Sequence, residues 1–148
     1  MAHRFPDITT YGAALRFALE AEQACADLAA AAGVLAPDQA WRDKLEEIVC
    51  THDDRVAKLT ATREETEANA GAAVSLDAGA YLGTLDAEPE THWPGAAEQL
   101  ARAEEDAARF HEAFAAGCGT ELGARAGAFE KSAAQDRAAA AQLRDMLG

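Results

Sequence analysis

Four side chains able to hold a metal or move a proton stand among apolar residues at helical spacing: Glu22, His52, Glu104 and Asp136. A helix that faces a core buries positions three and four apart. On that spacing one stripe is Leu15, Ala18, Glu22, Cys25 and Ala29. A second is Trp41, Leu45, Ile48, His52, Arg55 or Val56, and Leu59. A third is Leu100, Glu104, Ala107, His111 and Phe114, and a fourth is Phe129, Ala133, Asp136, Ala140 and Leu143. Each stripe is interrupted near its middle by one polar or charged group. An uncompensated charge inside a core is expensive, so these groups must be paired, hydrated or metal-bound. One reading is a set of stripe-edge positions or a structural ion-pair network. The other is a polar site between helices, where bundles commonly hold metals.

If a metal binds, the expected form is one ion held by Glu22, His52, Glu104 and Asp136. Oxygen ligands with a single imidazole suit iron, manganese or zinc. Arg55 lies three residues after His52 and faces the same side of its helix. Its guanidinium can bridge two carboxylates and fill the volume a metal would need. That favours a metal-free, salt-bridged centre unless Arg55 swings outwards. His111, seven residues after Glu104 on one stripe, reads as a supporting partner or a satisfied core histidine. Cys25, one turn beyond Glu22, reads as a small buried hydrophobe. Cys50 and Cys118 match no nucleophile motif, and no phosphate-binding glycine loop is present.

Four helical segments must position these groups. The first runs from about Thr9 to Ala32, with Gly33 as its expected stop. The second follows Ala36-Pro37-Asp38 and reaches about Thr66. The third opens at Trp93-Pro94-Gly95 and ends at Gly117-Cys118-Gly119. The fourth runs from about Glu121 to Leu147, with Gly123 and Gly127 weakening its first half. The short links near Gly33 and Gly117 imply two hairpins. The long stretch from about Ala68 to His92 carries Gly71, Gly79, Gly83 and Pro89, so it is no single helix. Its Val74, Leu76, Tyr81, Leu82 and Leu85 are candidates to pack on the helices. Trp41 and Trp93 stand at helix starts and are expected to anchor one end. The expected fold is all-α: an antiparallel four-helix bundle over 1–148, with a long crossover between helices two and three.

At these residues the chain resembles the ferritin-like superfamily, in particular its rubrerythrin-type members. Phe17-Ala18-Leu19-Glu20-Ala21-Glu22 resembles the family's first helix, with Glu22 at the ligand position. Ala101 to His111, with Glu104 as ligand, is similar to the third. Ser75-Leu76-Asp77-Ala78-Gly79-Ala80-Tyr81-Leu82 has the look of the family's crossover. The resemblance implies a di-iron site with one Glu from each of helices one and three and a Glu-x-x-His pair from each of helices two and four. Both pairs depart from that pattern. His52 and Arg55 stand in place of one, Asp136 and Ala139 in place of the other, and no Glu-x-x-His occurs anywhere in the chain. The resemblance therefore implies a degenerate di-metal site.

Bulk composition narrows the function classes. The 148 residues fit one domain, with 49% hydrophobic and 26% charged residues. A formal charge of −13 repels phosphate backbones and anionic lipids, so neither nucleic acid nor a membrane is expected as partner. Three cysteines in no zinc-like spacing point to a reducing cytoplasm. No secretory signal or membrane span is visible. Two functions follow: a non-haem metal protein, or a metal-free ferritin-like bundle acting as a structural or interaction module. A homodimer is expected in either case, and the sequence names no substrate.

Overall fold

The computed structural model describes residues 3–148. Strand β1 (Ile8–Thr10) leads into helix α1 (Tyr11–Leu35), and α2 (Gln39–Glu65) follows after a three-residue link. A 3₁₀ turn (Glu67–Asn69), strand β2 (Ala73–Leu76), the short helix α3 (Gly79–Leu82) and a second 3₁₀ turn (Gly83–Asp86) make up most of the crossover. Helix α4 (Gly95–Gly117), the short α5 (Gly119–Leu122), a 3₁₀ turn (Gly123–Arg125) and α6 (Ala126–Leu147) complete the chain. The protein is mostly helical, with one small antiparallel sheet.

Local chemistry sets the helix ends. Thr10 accepts the Ala13 amide proton at 3.1 Å and Asp38 accepts that of Trp41 at 3.0 Å, so each caps the start of a helix. The first helix runs past the expected stop at Ala32. Gly33 is helical, and the chain leaves the helix at Ala36, directly before Pro37. The fourth long helix begins at Ala126 rather than Glu121. Gly123 has φ +57°, a left-handed conformation that breaks the helix there.

The sheet qualifies the all-α expectation. Ile8 pairs with Leu76 and Thr10 with Ala73. The amides of Tyr11 and Gly12 extend this tie by donating to the carbonyls of Ala72 and Ala70, each at 2.9 Å. Gly12 permits that approach, because a Cβ there would lie 3.1 Å from the Ala70 oxygen. The crossover is thus pinned to the start of α1. Leu85 is fully buried, while Val74, Leu76, Tyr81 and Leu82 pack on the aromatic end of the core.

Two apolar clusters fill the interior. One joins Leu28, Trp41, Leu45, Ile48, Leu100 and Leu143. The other joins Leu15, Phe17, Leu59, Phe110, Phe114 and Phe129, with ring centroids 4.5 Å apart for Phe17–Phe110 and 4.8 Å for Phe114–Phe129. Residue order through the clusters gives the helix directions. Helices α1 and α6 run from the aromatic cluster to the other, and α2 and α4 run the reverse way. The crossover therefore returns along the length of the molecule. Trp41 and Trp93 meet edge to face at 4.6 Å, where α2 and α4 begin.

Burial of the four stripes matches the sequence pattern, and at the one open choice Arg55 faces inwards rather than Val56. Helix α1 packs on α2 and α4, and α4 packs on α6, where Arg144 grips Glu105 through paired hydrogen bonds of 2.7 and 2.8 Å. Helices α2 and α6 make few backbone approaches, so that seam is looser.

Two glycines separate strain from propensity. Gly83 has φ +33°, and a Cβ there would lie 2.5 Å from Asp106 Oδ2, the atom that accepts the Thr84 amide proton. Gly83→Ala is expected to destabilise the fold by more than about 1 kcal/mol. Gly127 lies in α6 with open space around it, and Gly127→Ala is expected to stabilise by about 0.5 kcal/mol. Urea unfolding of the two variants checks both signs.

Candidate metal centre

Between the two apolar clusters lies a layer of buried polar groups. Glu22, His52, Glu104, His111 and Asp136 are at most 1% exposed, and Arg55 is 8% exposed. Glu22 stands in α1, His52 and Arg55 in α2, Glu104 and His111 in α4, and Asp136 in α6. The layer exists because each stripe carries its polar interruption at the height where the two clusters meet.

His52 joins two carboxylates. Its Nδ1 lies 2.7 Å from Glu22 Oε2 and its Nε2 lies 2.6 Å from Glu104 Oε1. Carboxylate oxygens accept, so both ring nitrogens donate and the ring is an imidazolium. Burial opposes that charge, but the Glu104 charge and the hydrogen bonds to Glu104 and Glu22 outweigh it and lift the His52 pKa well above its usual value.

Arg55 donates from one terminal nitrogen to Asp136 Oδ1 at 2.5 Å and, more weakly, to Glu22 Oε1 at 3.5 Å. The other terminal nitrogen donates to Gln135 Oε1 at 2.9 Å. His111 Nε2 lies 2.8 Å from Glu22 Oε1 and 3.6 Å from Asp136 Oδ2. Burial alone would raise the Glu22 pKa, but the hydrogen bonds from His111 and His52 and their charges hold it far below the carboxylate range. Asp136 goes the other way. Burial, with the Glu104 charge adding to it, pushes its pKa well above the usual value despite Arg55.

The six residues read from the sequence are therefore brought together, but not as one ligand set. Ligand atoms within 4.8 Å of one another fall into two groups: Cys25, His52 and Glu104, and Glu22, His111 and Asp136. The single site of Glu22, His52, Glu104 and Asp136 is divided between them, because His52 bridges Glu22 and Glu104 while Asp136 is drawn to Arg55. Two residues gain importance. Cys25 was legible only as an apolar stripe position, and its place beside His52 depends on how α1 and α2 pack. His111 was legible as a polar stripe residue, but its bond to Glu22 crosses between helices.

The loose α2–α6 seam opens onto the layer. A cavity of about 260 Å³ enters there, lined by His52, Arg55, Glu104 and Asp136, with Lys44 and Gln142 hydrogen-bonded to one another at its outer side. A second cavity of about 100 Å³ touches Glu22, Arg55, His111 and Phe129. Arg55 borders both.

Three atoms of the layer are buried with no hydrogen-bond partner: Glu104 Oε2, His111 Nδ1 and Asp136 Oδ2. Buried polar atoms are nearly always satisfied, so the layer has capacity for a further ligand. The buried carboxylates and histidines could hold a metal ion. They do not fit a six-ligand di-iron site, since Arg55 and Ala139 offer no ligand atom and the Arg55 guanidinium sits against two of the carboxylates. No family model, curated protein or solved structure matches the chain.

The pH dependence of the metal-free protein tests this electrostatic picture. In acid, the shifts of Glu22 and Asp136 act in opposite directions, so the alkaline side is the cleaner one. A raised histidine pKa contributes stability that is complete below the unfolded value of about 6.5 and is lost as pH rises. With chelator present, stability is expected to fall as pH rises from 7 to 8, by at most about 1.4 kcal/mol per unit for this one proton. The slope is expected to disappear in His52→Gln. Denaturant unfolding at several pH values measures it, and an unchanged slope in the variant would contradict the buried imidazolium.

Proposed function

We propose that this protein is a ferritin-like, rubrerythrin-type four-helix bundle whose remodelled carboxylate–histidine centre binds one transition metal ion. The observation that carries the reading is the set of three unpartnered atoms, Glu104 Oε2, His111 Nδ1 and Asp136 Oδ2, inside a buried layer that a cavity reaches. Two hairpins joined by a crossover that returns along the molecule support the bundle type. Iron, manganese and zinc are the metals such donors suit. A bound dication with a free position toward the cavity would supply Lewis-acid activation of a small molecule such as water or dioxygen.

The protein's own groups have separable roles in this reading. Glu22 orients His52 through Nδ1, as carboxylates do for metal-binding imidazoles. Arg55 balances the charge of Asp136 and Glu22. The apolar clusters on either side limit water to the α2–α6 cavity. A cytoplasmic homodimer belongs to this reading, and the three free cysteines fit a reducing compartment.

A specific observation favours a second reading, in which the centre is metal-free and the bundle is a structural or interaction module. Both His52 nitrogens and the Arg55 guanidinium already pair with carboxylates. Elemental analysis of protein purified without a polyhistidine tag separates the two. About one iron, manganese or zinc per chain is expected, with loss of that metal in His52→Ala. Absence of binding after loading with each metal would leave the metal-free reading.

A further inference from the structure

Of the two groups of ligand atoms, we infer that Cys25, His52 and Glu104 form the metal seat, a mixed sulfur, nitrogen and oxygen site for a zinc-class dication. The inference rests on the metal-binding reading above and specifies where the ion sits and what class it belongs to.

Arg55 decides between the groups. It donates to both Glu22 and Asp136, two members of the other trio, so a dication there would face a guanidinium hydrogen-bonded to two of its own ligands. None of its hydrogen bonds goes to Cys25, His52 or Glu104. The orientation of the imidazoles points the same way. His52 has its Nδ1 fixed on Glu22 Oε2 at 2.7 Å and turns its Nε2 toward Glu104, the arrangement in which one nitrogen is held and the other binds metal. His111 Nδ1 has no partner to orient the ring in that way.

Access and donor capacity agree with this. Glu104 is fully buried, and its Oε2 has no partner. Glu104 and His52 both line the larger cavity, which leaves room for water ligands. Cys25 is fully buried and supplies the sulfur from α1.

Binding also balances in charge. A dication enters while two protons leave, one from Cys25 Sγ and one from His52 Nε2, so the buried layer keeps its net charge. Avoiding a new net charge matters where burial makes charge costly. A thiolate and an imidazole beside one carboxylate suit zinc, iron(II) or cobalt(II) better than manganese, which prefers oxygen donors.

Cobalt(II) chloride titrated into the chelator-stripped full chain tests the seat, because thiolate-bound cobalt absorbs in the near ultraviolet. A stoichiometric near-ultraviolet band is expected. It should vanish in Cys25→Ala, with affinity falling more than about tenfold, and survive in Cys50→Ala. Cys25→Ser provides a second variant if the alanine form does not fold. Cobalt binding without that band, or a band that survives loss of Cys25, overturns this seat and leaves a metal centre elsewhere in the layer. No cobalt binding by the parent chain overturns both the seat and the metal-binding reading.

Discussion

A carboxylate with no exposure to water must be matched from inside the protein, and at Glu22 two neighbouring helices do so. His52 and Arg55 reach it from α2 and His111 from α4. Through Arg55 the same network extends to Asp136 on α6. The helices are consequently fixed in register as well as in contact. An apolar stripe slides at modest cost when its residues are small, and these helices are rich in alanine. Charged partners that must meet within hydrogen-bond distance do not permit such sliding. Removing one partner from a buried pair typically costs about 3–5 kcal/mol, because the other charge is left behind.

The polar layer also explains why the core is divided. Phenylalanines gather on one side of it, and leucines with Trp41 gather on the other. The crossover seals the aromatic side through β2, Tyr81 and Leu82 and extends to the other through Leu85. The α2–α6 seam is left loose, and the two cavities that reach the polar layer lie there. Architecture and chemistry meet at this point, since a weakly packed seam leads to the groups with unfilled donor capacity.

Much of this was legible in the sequence because helical periodicity is a local property. The stripes of α2 and α6 correspond residue for residue with the buried positions, including His52 and Asp136. Periodicity shows which face of a helix turns inwards. It does not show which neighbour a residue meets, so the pairing of His111 with Glu22 and the proximity of Cys25 to His52 could not be read. The β1–β2 pairing escaped for a similar reason. Ile8 and Leu76 lie far apart in the chain, and strands of three and four residues carry almost no pattern. The late start of α6 follows from one backbone angle at Gly123, which residue type permits without requiring.

The central claim is that the divided core exists around a metal seat. Anomalous X-ray diffraction from crystals grown with zinc, collected on both sides of the zinc absorption edge, addresses it most directly. The account predicts one strong anomalous peak inside the polar layer, bounded by Cys25 Sγ, His52 Nε2 and Glu104, with Arg55 still paired to Asp136. A layer without any anomalous peak, with His52 still hydrogen-bonded to both Glu22 and Glu104, would contradict it.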